Sequence, residues 1–116
     1  MEPERRRWQR VAVGDGGSSA LLRGNVPVVV EDLSAAGLRL AANVLLEPGI
    51  YALTALFRGL SLATPVRITR CRLRASGERG RDTDGAWVAG GEFLWRDEAD
   101  AAALRRWLSR RDVVLF

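Results

Sequence analysis

Short runs rich in β-branched and aliphatic residues recur along this chain: VPVVVE (26–31), LRLAA (38–42) and IYALTALF (50–57). Glycine, proline, asparagine and aspartate interrupt them at close intervals. Runs of this length suit strands rather than helices. Helical spacing occurs in one stretch, DEADAAALRRWLSRR (97–111), where Leu104, Trp107 and Leu108 form an apolar stripe with Ala101 above it. Asp97 is a fitting N-cap, Glu98 and Asp100 suit the positive end of the helix dipole, and Arg110 and Arg111 suit the negative end. A chain of 116 residues in this order is expected to be mainly β. The expected architecture is a small antiparallel β-barrel of six to seven strands, closed to remove exposed edges, with one C-terminal helix over about 97–111 as its plug.

Residues 1–10 show no periodicity and read as a flexible arm, leaving 11–116 for the barrel and helix. A short strand is expected at 11–13, a loop at GDGGSS (14–19), a strand at ALLR (20–23) and a tight turn at Gly24-Asn25. EDLSAAG (31–37) interrupts the next run with turn chemistry, EPG (47–49) is a turn, and 76–85 is a polar hairpin loop. In PVRITRCRLRA (65–75) the apolar positions are Val66 and Ile68, then Cys71 and Leu73. A strand with one buried face cannot change phase without an extra residue, so a β-bulge is expected near Thr69-Arg70. AWVAGGEFLW (86–95) puts Trp87, Phe93 and Trp95 on one face, with Ala89 and Gly91 between them. VVLF (113–116) is expected to be a short strand or a tail packed on the barrel.

The chain has no histidine, no lysine and one cysteine. It therefore lacks the partners for a Ser-His or Cys-His pair, a Schiff base or a phosphate-loop lysine. Cys71 reads as a small buried strand residue; no disulfide within the chain is possible, and no zinc or other metal site is expected. Asp82 and Asp84 read as solvated loop residues. The chain is thus expected to be a binding module rather than an enzyme, with no cofactor. The longest uncharged run spans ten residues, 48–57, against about 20 for a membrane-spanning helix, so no membrane insertion is expected. No apolar segment follows the N-terminal arginines, so no signal peptide is expected, and the expected location is cytoplasmic.

All 18 basic residues are arginine, and the net charge is +4. Three clusters stand out: Arg5, Arg6, Arg7 and Arg10; Arg67, Arg70, Arg72 and Arg74; and Arg105, Arg106, Arg110 and Arg111. The first contains an RxxxR pattern, Arg6 to Arg10, with Arg5 directly before it. Downstream comes Asp32-x-Ser34-x-x-Gly37. Two such motifs in a short β-rich chain ending in a helix resemble the PilZ domain, the bacterial receptor for cyclic di-GMP. DLSAAGLRL is similar to that family's second motif with its following strand. AGGEFLWRDEADAAALRRWL is similar to its last barrel strand running into the C-terminal helix.

The resemblance implies cyclic di-GMP as ligand and Arg6 and Arg10 as its grip, with Arg5 assisting and associated with a self-intercalated ligand dimer. Guanine presents O6 and N7 as paired acceptors that a forked guanidinium matches with two hydrogen bonds, which lysine cannot do. Asp32, acceptor-only when ionised, suits the guanine N1–H and N2–H₂ donors. Ser34 suits phosphate or N7 and also a local turn. Gly37 suits close backbone approach to a ligand or a positive φ. Arg7 reads as solvent-facing or on phosphate. Trp8 either stacks on a base or folds onto the barrel, and Arg39 faces either ligand or solvent. Arg72, Arg105 and Arg106 read as exposed. Ligand binding would order the arm and present a new surface to a downstream protein partner. Two alternatives remain: a PilZ-like adaptor that binds no ligand and acts through protein contacts, and a small basic barrel for RNA or single-stranded DNA. The latter is disfavoured because the tryptophans at 87, 95 and 107 read as core rather than as a stacking platform.

Overall fold

In a computed structural model, residues 11–12, 19–75 and 85–114 are described. Seven strands and one helix follow in order: β1 (Val11–Ala12), β2 (Ser19–Leu22), β3 (Val26–Leu33), β4 (Gly37–Ala42), β5 (Gly49–Phe57), β6 (Leu60–Leu73), β7 (Trp87–Phe93) and α1 (Glu98–Val114). The sheet order is β1-β3-β2-β5-β6-β7-β4, and β4 also pairs with β3. That last pairing closes a six-stranded antiparallel barrel. β1 joins β3 as a seventh, two-residue strand through the pairs Val11–Leu33 and Ala12–Asp32. Because β2 pairs with β3 at Val26–Val28, β1 and β2 share one β3 edge, at opposite ends of it.

Alternation within the strands fills the barrel. Leu22, Val30, Leu40, Leu53, Leu62, Val66 and Ile68 point inward and are almost fully buried. The helix closes one end as the apolar stripe demands. Asp97 accepts a hydrogen bond from the Ala99 N–H at 2.9 Å, and Leu104, Trp107 and Leu108 join the core. The Trp107 indole packs against Phe57, with ring centroids 5.6 Å apart, and donates to the Arg58 carbonyl at 2.8 Å. Helix and β5–β6 turn are thereby joined. No described helix is long and apolar enough to cross a membrane.

The expected bulge exists. The β6–β7 register shifts between Ile68 and Arg70, so Val66 and Ile68 face inward before it and Cys71 after it. Cys71 is half-buried rather than buried, and its sulfur accepts from the Leu46 N–H at 3.4 Å. Four expectations need correction. EDLSAAG is not all turn, since Glu31, Asp32 and Leu33 continue β3. The β2–β3 turn centres on Arg23-Gly24, both at positive φ, with Asn25 donating to the Leu22 carbonyl. β6 begins at Leu60 rather than Pro65, because Arg58-Gly59 forms a tight hairpin with Gly59 at φ +84°. Val113 and Val114 belong to the helix, since no glycine or proline stops it after Arg110 and extending a formed helix costs little.

Trp107→Ala is expected to destabilise the fold by about 3–5 kcal/mol, the usual cost of deleting a buried tryptophan side chain. Urea denaturation followed by far-UV circular dichroism measures it; a loss under about 1 kcal/mol would mean that the helix does not plug the barrel.

Candidate functional site

β3 carries Val28 and Val30 inward, and it must carry Leu33 inward too. Strict alternation forbids this, and the strand resolves the conflict with a second bulge. The β3–β4 register shifts between Val30 and Asp32, pairing Val30 with Leu40 and Asp32 with Arg39. Glu31 is the extra residue. Since Arg39 lies between inward-facing Leu38 and Leu40, it faces outward, and so does its cross-strand partner Asp32. Glu31 reaches Arg39 from the same face, its Oε1 accepting from the Arg39 Nε at 3.2 Å. The bulge thus sets two consecutive carboxylates on the outer wall.

Arg74, from the end of β6, completes the group by donating from Nη2 to the Glu31 Oε2 at 2.7 Å. β7 and β4 lie between these residues in the sheet, so the ion pair spans the outer face. Glu31 and the Arg74 side chain are 8% and 7% exposed, and that of Arg39 is 17%. These are desolvated charges, unlike Arg67–Glu92 nearby, at 49% and 52%. Asp32 is buried as well, standing in the sheet between Ala12 and Arg39.

Ser34 and Gly37 close the β3–β4 turn. The Ser34 N–H donates to the Gly37 carbonyl at 2.9 Å, and the Gly37 N–H donates to the Ser34 Oγ at 3.2 Å. Ser34 is therefore employed as a turn clamp, one of the two roles its residue type allows. Gly37 has neither a positive φ nor an open approach above it. A Cβ there would collide with the Gly91 carbonyl oxygen of β7, so its glycine is required by the neighbouring strand. The three motif residues Asp32, Ser34 and Gly37 are gathered with Arg39 at one end of β3 and β4. Arg5, Arg6, Arg7, Trp8 and Arg10 lie outside the described residues. Arg72 is exposed, as expected, and Arg105 and Arg106 lie exposed on the helix.

Sequence reasoning missed Glu31 and Arg74, which are 43 residues apart. A signal for Glu31 was present: Val28, Val30 and Leu33 change phase as the apolar positions of β6 do. It missed Gly90 as well. Gly90 pairs with Arg39 on β4 and with Arg70 on β6, is half-buried, and lies at no positive φ. A Cβ there would meet no described atom within 4 Å. Glycine inside a regular element costs about 0.5–1 kcal/mol relative to alanine, and nothing within the described fold requires it at this position.

Among the described residues, no group of three or more His, Cys, Asp or Glu side chains is placed to hold a metal ion. What fold and site define is a small closed β-barrel with a helical plug and a charged outer wall beside its N-terminal strand. No protein-family model matches the chain, and comparison with curated proteins finds no significant relative.

Removing a partner from a buried ion group leaves uncompensated charge, at a cost of about 3–5 kcal/mol, whereas an exposed pair contributes about 0–1 kcal/mol. Glu31→Ala is therefore expected to destabilise by about 3 kcal/mol and Glu92→Ala by less than about 1 kcal/mol. Equal midpoint losses in chemical denaturation of the two variants would contradict this ranking.

Proposed function

We propose that the chain is a cyclic di-GMP receptor that clasps the ligand between the N-terminal arginines and the Asp32–Gly37 end of β3 and β4, and relays binding to a protein partner. One observation carries the reading: β1 pairs Val11 with Leu33 and Ala12 with Asp32. Arg10 is bonded directly to Val11, and consecutive Cα atoms are about 3.8 Å apart. The four Cα–Cα steps from Arg10 to Arg6 extend at most about 14 Å. Chain connectivity thus permits both arginines of RxxxR to approach Asp32, although Asp32 follows Arg10 by 22 positions.

The chemistry fits that meeting point. A guanidinium fork engages guanine O6 and N7, a carboxylate accepts from the opposite edge, and the flanking Arg39 offsets the repulsion between Asp32 and ligand phosphates. Fixing the arm costs roughly 1–2 kcal/mol per ordered residue, which charge-assisted contacts must exceed. The bound arm then forms part of the surface that a partner reads. A nucleic-acid role has less support, because no described aromatic side chain is exposed as a stacking platform.

Calorimetry with cyclic di-GMP, cyclic di-AMP and GTP tests the reading. Cyclic di-GMP is expected to bind most tightly, with Arg6→Ala and Asp32→Ala each weakening it by about 1–3 kcal/mol, roughly 5- to 150-fold in Kd. Equal heats for the three nucleotides, or undiminished binding in both variants, would overturn it.

A further inference from the structure

Arg70, of the second arginine cluster, has no part in the Glu31–Arg39–Arg74 group, and Gly90 has no reason within the described fold. The two observations meet. Asp32 pairs with Arg39, Arg39 with Gly90, and Gly90 with Arg70, making one row across four adjacent strands. Directly paired residues present their side chains on the same face of a sheet, so Arg39 and Arg70 both rise from the outer wall on either side of Gly90. Arg70 is exposed and makes no ion pair among the described residues. Arg39 is held at its Nε by Glu31. Among the described residues, no side chain stands in this row between the two arginines.

We infer that this gap is a base seat: Gly90 is its floor, Arg39 and Arg70 are its walls, and its occupant is a guanine ring of the bound dinucleotide, inserted edge-down. This rests on the cyclic di-GMP reading above and extends it to residues outside both sequence motifs.

The dimensions suit a ring. Two inter-strand steps separate the Cα atoms of Arg39 and Arg70 by roughly 9–10 Å. A flat ring standing midway leaves about 4–5 Å to each backbone flank, into which the planar guanidinium groups lean at the 3.5–4.0 Å of van der Waals contact. Arginine stacks on nucleobases through its flat face and adds a cation–π attraction. A phosphate alone would need donors converging on one point, not a bare floor between two separated arms. A strand residue with a β-branched side chain would fill the gap, which accounts for glycine where a strand otherwise disfavours it.

The test uses the full chain and cyclic di-GMP, with Kd from calorimetry and thermal midpoints measured alongside. Gly90→Val is expected to leave the midpoint unchanged or higher, because a Cβ there meets no described atom within 4 Å, and to weaken binding roughly 5- to 150-fold, the range for losing one stacked base. Gly90→Ala falls between Gly90→Val and the wild type. Arg70→Ala weakens binding similarly and Arg70→Lys does not restore it, since an ammonium group has no stacking face. Arg106→Ala, on the exposed helix face, binds as the wild type. If Gly90→Val and Arg70→Ala bind as the wild type while Asp32→Ala does not, the seat is refuted and the receptor reading stands. If Gly90→Val lowers the midpoint, the glycine serves the fold and the seat is refuted as well. A wild-type chain that gives no heat with cyclic di-GMP removes the receptor reading itself.

Discussion

β3 has to satisfy two demands that a regular strand cannot meet together. Its valines and Leu33 must enter the core, while the carboxylates between them must stay out of it. The additional residue at Glu31 reconciles these demands, and much of the outer wall follows from it. Asp32 comes to stand opposite Arg39, Glu31 comes within reach of Arg39 and Arg74, and Leu33 remains available to pair with both Val11 and Leu38. Without the shift Asp32 would face a hydrocarbon interior, where an unpaired carboxylate costs several kcal/mol.

Burial sorts the charges on this barrel. Arg67–Glu92 and Arg105–Glu98 are about half exposed or more and hold little energy. Glu31 with Arg39 and Arg74 is different: two forked cations engage both oxygens of one carboxylate, at a place where neither sign tolerates losing its partner. An arginine at each of these positions supplies direction as well as charge. The Arg39 guanidinium is anchored through Nε, which constrains the orientation of its plane.

The barrel and its plug were legible because they rest on local signals: β-branched runs between turn residues, a capping Asp97, and the Leu104–Trp107–Leu108 stripe. Phase was legible as well, and it located the Thr69-Arg70 bulge. The same arithmetic applied to Val28, Val30 and Leu33 points to the bulge at Glu31, but the turn chemistry of Asp32, Ser34 and Gly37 masked it. Arg58-Gly59 was missed because arginine carries no turn preference and only Gly59 takes the left-handed conformation. Asp32, Ser34, Gly37 and Arg39 could be grouped because they are close in the chain. Arg74 could not, since its tie to Glu31 depends on the sheet order β6-β7-β4-β3, which no local pattern encodes.

Each bulge turns a strand's residue count into a determinant of structure. Excising one residue at Glu31 or Thr69 would do more than delete a side chain. It would restore a plain two-residue repeat and exchange inside for outside over the remainder of the strand. Variation by substitution and variation by length therefore meet different tolerances in this wall: an exposed side chain of β6 such as Ser61 or Arg67 can be exchanged locally, but the number of residues between the flanking turns cannot change by one.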